Sequence, residues 1–109
     1  MNQERRDRPT YPLESFREVF PVTGFITKQA KDDAFRLGFD TADIEQVIRD
    51  LSLEQFYKSM PAKEFPDVWQ DVYKAQYMFI PLYIKLQLRE SGGSITAVVV
   101  AFKEDKSPR

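Results

Sequence analysis

Hydrophobic positions in the first half of the chain recur at helical spacing. Residues 13–20 predict a short amphipathic helix that ends at Pro21, because proline cannot continue a helix. Residues 27–37 predict a second helix, and Gly38 suits the left-handed cap at its end. Residues 40–51 predict a third helix, with apolar side chains at i, i+3, i+4 and i+7. Three amphipathic helices are therefore expected before residue 52.

The segment that follows starts with a capping-box pattern, Ser52 with Gln55 three residues later. This pattern predicts a fourth, short helix that carries Phe56, Tyr57 and Lys58 toward Pro61. Lys58 is accordingly expected near a helix end, beside a loop.

After Pro66 the pattern changes to β-branched and aromatic residues in period two, which predicts strands. We expect three of them, at about residues 68–76, 82–89 and 95–103, with residues 91–94 as a hairpin turn between the last two.

The two faces of the second predicted strand differ in chemistry. One face is aliphatic, and the other presents Tyr83, Lys85, Gln87 and Arg89. Helices followed by an antiparallel sheet with one covered face predict an α+β fold, in which the N-terminal helices pack on one face of a three-stranded sheet.

Length and composition predict a single domain. The chain has 109 residues, 42% of them hydrophobic, which suffices for one modest core. Residues 1–11 are polar and contain three arginines, so we expect a flexible leader, then one domain over residues 12–105 and a tail over residues 106–109. The charged start and the absence of a long apolar run predict a cytoplasmic protein without membrane association.

Charge and residue types narrow the possible functions. The chain has no cysteine and no histidine, which excludes disulfides, zinc fingers and catalytic Cys-His or Ser-His pairs. The net charge of −1 argues against indiscriminate nucleic-acid binding, and no direct DNA binding is expected. It is uneven, however: residues 1–57 carry −3 and residues 58–109 carry +2.

Four polar residues are candidates for metal-independent cleavage of RNA, which requires a proton acceptor, a proton donor and fixed positive charge. They are Lys58, Gln70, Tyr83 and Lys103. Each also has an ordinary structural explanation: Lys58 favours a helix dipole, Lys103 protects a sheet edge, and Gln70 and Tyr83 are common strand residues. The residues alone leave both interpretations open.

Further side chains are expected to contact RNA if the protein binds it. The cations between residues 74 and 103 are opposed only by Glu90, and aromatic rings such as Tyr57 can stack on unpaired bases. The predicted RNA contacts are Tyr73, Lys74, Lys85 and Arg89. Asp71 and Glu104 give only a weak metal signal, so no metal and no cofactor is expected.

Several segments together resemble the MqsR (motility quorum-sensing regulator) toxins. They are Phe56-Tyr57-Lys58-Ser59-Met60, Trp69-Gln70-Asp71-Val72-Tyr73, Tyr83-x-Lys85 and Phe102-Lys103-Glu104. The resemblance is continuous over about residues 50–105.

This resemblance implies a RelE-like α+β fold and a sequence-selective endoribonuclease that cuts mRNA without the ribosome, at GCU-type sites. It also implies a partner, a zinc-binding helix-turn-helix antitoxin of the MqsA type. The catalytic positions of the family fall on Lys58, Gln70, Tyr83 and Lys103, and all four residue types are retained.

Two other functions remain possible at this point. The acidic net charge motivates a catalytically inactive module that binds an antitoxin or RNA for regulation. The open face of the second strand motivates a platform that binds single-stranded RNA without cleaving it.

Overall fold

The computed structural model describes residues 4–107 and contains one five-stranded sheet with three α-helices in this range. The helices are α1 (Leu13–Thr23), α2 (Lys28–Arg36) and α3 (Thr41–Asp50), followed by a 3₁₀ turn (Leu53–Gln55). The strands are β1 (Gly24–Ile26), β2 (Phe56–Pro61), β3 (Trp69–Tyr77), β4 (Ile80–Ser91) and β5 (Ser94–Glu104). The sheet order is β1-β5-β4-β3-β2, and only β1 runs parallel to its neighbour. None of the helices in this range is long and apolar enough to cross a membrane.

The second and third predicted helices are confirmed, together with their caps. The Thr27 hydroxyl accepts the Ala30 N–H at 3.1 Å at the start of α2, and Gly38 follows its end with a φ of +88°. At the start of α3, Asp40 and Asp43 bind each other's backbone N–H in a capping box.

The predicted end of α1 at Pro21 is wrong, because the helix continues to Thr23. Proline removes only one backbone donor there, and the end of the helix is tied to the sheet by the Thr23 hydroxyl, which donates to the Ile95 carbonyl at 2.6 Å. The Arg17 guanidinium also donates to the carbonyl groups of Arg49 and Leu51, linking α1 to the end of α3.

The prediction of three strands is wrong, since β1 and β2 complete a five-stranded sheet. The predicted fourth helix is β2. Its capping box does form, but it supports only the 3₁₀ turn, after which Phe56 pairs with Tyr73 and Lys58 with Val72. Pairing with β3 therefore outweighs the local helix signal.

The three predicted strands are confirmed as β3, β4 and β5. Gly92 and Gly93 join β4 to β5 with φ values of +57° and +84°, the left-handed pair that a two-residue hairpin turn requires.

The core lies between the helices and one face of the sheet. Strand alternation directs Tyr73, Ile84 and Phe102 to this side. They pack against Phe16 of α1, Ala30 and Ala34 of α2, and Ile44 and Ile48 of α3. The opposite face of the sheet remains available for a site.

The described part of the predicted flexible leader lies along β2. Arg6 and Ser59 exchange backbone hydrogen bonds of 2.8 and 3.0 Å, which makes an antiparallel bridge at the outer edge of the sheet. Thr10 and Tyr11 then donate their N–H groups to the buried Asp71 carboxylate at 3.0 and 2.9 Å. Residues 1–3 and 108–109 lie outside the described range.

Candidate active site

Four strands place cations and tyrosines on the face of the sheet opposite the helices. One row across the sheet runs from Lys58 through Val72 to Lys85. The next row runs from Lys74 through Tyr83 to Lys103. Residues far apart in the chain thus become neighbours, because adjacent strands are only about 4.8 Å apart.

These side chains line a cleft of about 690 Å³, which we call the lysine cleft. Its floor is formed by Lys58, Lys74, Tyr83, Lys85 and Lys103, with Tyr57 beside them. The end of α2 supplies one wall through Asp33 and Arg36, which form an ion pair of 2.6 Å. The cleft is large enough for a nucleotide and is open to solvent on one side.

Two tyrosine rings organise the cations of the lysine cleft. The Lys74 ammonium lies 4.1 Å from the centroid of the Tyr57 ring, and the Lys58 ammonium lies 5.5 Å from it. The ammonium groups of Lys103 and Lys85 lie 5.5 and 5.9 Å from the Tyr83 ring. Cation–π attraction of this kind favours the close approach of several positive charges.

The cleft lowers the basicity of Lys85. Burial lowers the pKa of Lys85, and the positive charges of Lys103 and Lys58 lower it further. In contrast, burial raises the pKa of Tyr83, with smaller contributions from Tyr57 and Asp105. Lys85 therefore loses its proton more readily than a lysine in water does, while Tyr83 keeps its proton at neutral pH.

Asp105 is a residue of the cleft that the sequence analysis did not identify. Its side chain is buried, accepts a hydrogen bond of 2.5 Å from the Ser107 hydroxyl, and lies 3.4 Å from the Lys74 ammonium. The Ser107 hydrogen bonds and the Lys74 charge lower the pKa of Asp105, so it remains a carboxylate. Asp105 thus fixes Lys74 in place and neutralises part of its charge.

Gln70 does not line the lysine cleft. Gln70, Val72 and Lys74 are every second residue of β3, so Gln70 lies on the same face of the sheet as Lys74. Gln70 is paired with Met60, however, which places it one row beyond the Lys58–Val72 row and outside the cleft lining. Lys58, Tyr83 and Lys103 are therefore brought together, and Gln70 lies at their margin.

The four predicted RNA contacts divide between different environments. Lys74 and Lys85 line the cleft, whereas the exposed Arg89 is paired with Thr96 further along β4. Tyr73 instead lies in the core with 1% of its surface exposed, and its ring packs edge-to-face on Phe56 at 5.6 Å. Burial raises the pKa of Tyr73 to about 12, with a contribution from Asp71. Its ring is not available to stack on RNA.

The weak metal signal from Asp71 and Glu104 has a structural explanation. The Asp71 oxygens are engaged by the N–H groups of Thr10 and Tyr11. Across residues 4–107, no three Asp, Glu, His or Cys side chains come together in a way that could hold a metal ion.

A second groove of about 740 Å³ lies away from the lysine cleft, between α1, β1 and α3. Phe20, Phe25, Arg17 and Arg49 contribute to its lining, and none of the predicted site residues does. The predicted site residues that line a groove therefore line the lysine cleft.

Comparison with known proteins finds a matching family and a related toxin. A family model described as "Motility quorum-sensing regulator, toxin of MqsA" matches residues 8–104. The chain is also 33% identical over 78 residues to the mRNA interferase toxin MqsR of Escherichia coli (strain K12), a match that covers 72% of this chain and 74% of the relative. The family match extends over the strands that form the lysine cleft.

Proposed function

The chain belongs to the motility quorum-sensing regulator (MqsR) family of toxins, and from this we propose that it is an mRNA interferase that cleaves RNA in the lysine cleft. The observation that carries the proposal is the convergence of Lys58, Tyr83 and Lys103 from three different strands. A cleft floored by ammonium groups and a phenol binds and polarises a phosphodiester.

The reaction that suits these groups is an internal transesterification. The 2′-oxygen of the RNA attacks the adjacent phosphorus and loses its proton to a base, while the bond from phosphorus to the 5′-oxygen breaks and that oxygen receives a proton. The products are a 2′,3′-cyclic phosphate and a 5′-hydroxyl. The charge of the intermediate phosphorane requires nearby cations, and we propose that the reaction proceeds without metal.

Roles can be divided among the cleft residues by their electrostatics. Lys85, whose pKa is lowered, is the proposed proton acceptor, and Tyr83, whose pKa is raised, is the proposed donor to the 5′-oxygen. Lys58 and Lys103 flank them and supply positive charge to the phosphorane. Gln70, at the margin, is proposed to orient a neighbouring phosphate or base edge.

The substrate is proposed to be single-stranded mRNA, cut without the ribosome at GCU-type sites. Arg89 extends the positive charge of the open face beyond the cleft, along β4. Tyr57, with 41% of its surface exposed, offers a ring on which an unpaired base can stack.

The partner is proposed to be a cognate antitoxin of the MqsA type, with a zinc-binding and a helix-turn-helix part, that restrains the toxin in the cytoplasm. The family description names the toxin of MqsA, which supports such a pairing.

One observation favours a second candidate, a regulatory module that binds RNA or an antitoxin without cleavage. Gln70, a catalytic position implied by the resemblance, lies outside the cleft lining. Under this alternative the cations would hold RNA in place but leave it intact.

The deciding experiment uses the purified chain without antitoxin and a single-stranded RNA containing GCU, in buffer with EDTA. We expect cleavage that ends in a 2′,3′-cyclic phosphate, and a strong loss of rate in Lys58→Ala and Tyr83→Phe. Lys63→Ala, an exposed lysine in the loop before β3, is the matched control and should cleave normally. Intact RNA in the presence of a folded wild-type protein would overturn the proposal in favour of the regulatory module.

A further inference from the structure

The segment over residues 4–7 lies outside the family match, which begins at residue 8, yet it reaches the lysine cleft. Arg6 is its anchor. The Arg6 backbone is bridged to Ser59 of β2, and its guanidinium carbon lies 3.6 Å from the centroid of the Trp69 ring. The same guanidinium donates to the Thr10 hydroxyl at 3.1 Å. These contacts of Arg6 hold the segment against the sheet.

Thr10 and Tyr11 complete this anchor from the other end. The hydroxyls of Thr10 and Ser59 are hydrogen-bonded at 2.7 Å, and the Tyr11 hydroxyl donates to the Trp69 carbonyl at 2.8 Å. The Asp71 carboxylate also accepts the N–H groups of Thr10 and Tyr11. The chain is therefore fixed at Arg6 on one side of Arg8 and at Thr10 on the other. The path of residues 5 and 6 along β2 is thus determined by several independent contacts.

Arg5 points toward the cleft, because successive side chains of an extended segment alternate in direction. Its guanidinium donates to the Tyr57 carbonyl at 3.4 Å and lies 5.4 Å from the centroid of the Tyr57 ring. This is the ring that Lys74 and Lys58 also contact. The positive surface of the cleft is therefore continued past Tyr57 by a residue from outside the family match.

The Arg5 guanidinium has donors left for a ligand. About half of its side chain is exposed, at 48%, and within the described range its acidic neighbour is Asp7 at 3.9 Å, which is itself 96% exposed. An exposed pair at this distance contributes little and exchanges readily for a phosphate, which an arginine can bind through two parallel hydrogen bonds.

We propose that Arg5 is a phosphate-binding residue of the RNA site, which binds the RNA backbone next to the nucleotide stacked on Tyr57. This inference rests on the proposed function, since it names a further contact for the same RNA. Arg5 lies at the rim and acts on binding, whereas the reacting groups lie on the floor of the cleft.

The test compares Arg5→Gln with Arg8→Gln, which removes the same charge from an exposed arginine three residues further along the chain. Binding is measured for a single-stranded RNA with 2′-deoxy substitutions at its cleavage site, across a series of salt concentrations. Loss of one phosphate contact should lower the slope of log K against log[salt] by about 0.7, and Arg8→Gln should retain the wild-type slope. In cleavage assays, Arg5→Gln should raise KM several-fold with kcat unchanged, and Arg5→Lys should restore part of the affinity.

Two outcomes would overturn the inference. A salt slope and KM for Arg5→Gln equal to those of wild type would show that Arg5 does not bind phosphate. A fall in kcat with unchanged RNA affinity would show that Arg5 only positions Tyr57. If wild type leaves RNA intact, the proposed function fails, but the binding series on unmodified RNA still decides the role of Arg5.

Discussion

The Asp71 carboxylate links the N-terminal segment to the sheet, and its replacement by asparagine tests that link. Asp71 is 1% exposed and accepts the N–H groups of Thr10 and Tyr11 on its two oxygens, at 3.0 and 2.9 Å. Asparagine has nearly the same shape but only one acceptor oxygen, and its NH₂ group faces one of the two donors. Asp71→Asn therefore breaks one hydrogen bond and removes the charge that strengthens the other.

The expected loss follows from these two changes. A hydrogen bond to a charged group contributes roughly 1.5–3 kcal/mol, and a buried donor left without a partner costs about 1–3 kcal/mol. Thr10 and Tyr11 are half-buried, so water recovers part of this loss. We expect the free energy of unfolding to fall by about 2 kcal/mol, which lowers Tm by about 10 °C in a domain of this size.

Urea unfolding, followed by the fluorescence of the single tryptophan, measures this change. Trp69 is well placed as a probe because its ring contacts Arg6 and its carbonyl accepts from Tyr11. Asp67→Asn, an exposed aspartate nearby, is the control and should stay within about 0.5 kcal/mol of wild type. A loss for Asp71→Asn that is equally small would refute the assignment of Asp71 as the anchor.

Three further predictions concern the cleft and the core. If neutral Lys85 accepts the proton, the cleavage rate should rise with pH as the solution pH passes the lowered pKa of Lys85. Lys103→Gln removes a positive charge that lowers this pKa, so the rise in rate should move to higher pH. A pH profile that does not move would exclude Lys85 as the base. Tyr73→Phe removes a buried hydroxyl that has no hydrogen-bond partner among the described residues. We therefore expect unchanged cleavage and a free energy of unfolding equal to that of wild type or up to about 1 kcal/mol higher. A clear loss of stability would contradict this prediction. Gly24→Ala places a Cβ into the Phe20 carbonyl and ring, so a loss of roughly 1–3 kcal/mol is expected in thermal unfolding, and a stable variant would show that α1 can move away from β1.

The elements predicted from sequence are those whose determinants are local. The helices α2 and α3 have caps and apolar stripes within their own segments, and the β4–β5 hairpin has its two glycines. The strand β1 has only three residues and pairs with β5 near the other end of the chain, so no pattern within its own segment predicts a strand. In β2, the register shifts between Phe56 and Lys58, which breaks the alternation by which strands are recognised.

The candidate site shows the same limit. Alternation along β4 correctly separates Tyr83 and Lys85 from the core, because only one face of that segment is aliphatic. The strand β3 is buried on both faces, with Val72 at 0% and Tyr73 at 1% exposure, so alternation there does not tell the core side from the open side. Whether Gln70 lines the cleft depends on how many rows of the sheet the cleft covers. The pairing of the assembled strands determines this, and the sequence of β3 alone does not show it.

Charge in the folded chain is separated across the sheet, although the sum is only −1. The helix α3 and its cap present Asp40, Asp43, Glu45 and Asp50 on one side of the core, and the lysine cleft opens on the other. This arrangement favours an orientation in which the lysine cleft, rather than helix α3, faces an approaching polyanion. Such orientation raises the rate of productive encounter at low ionic strength and weakens as salt shortens the reach of the field.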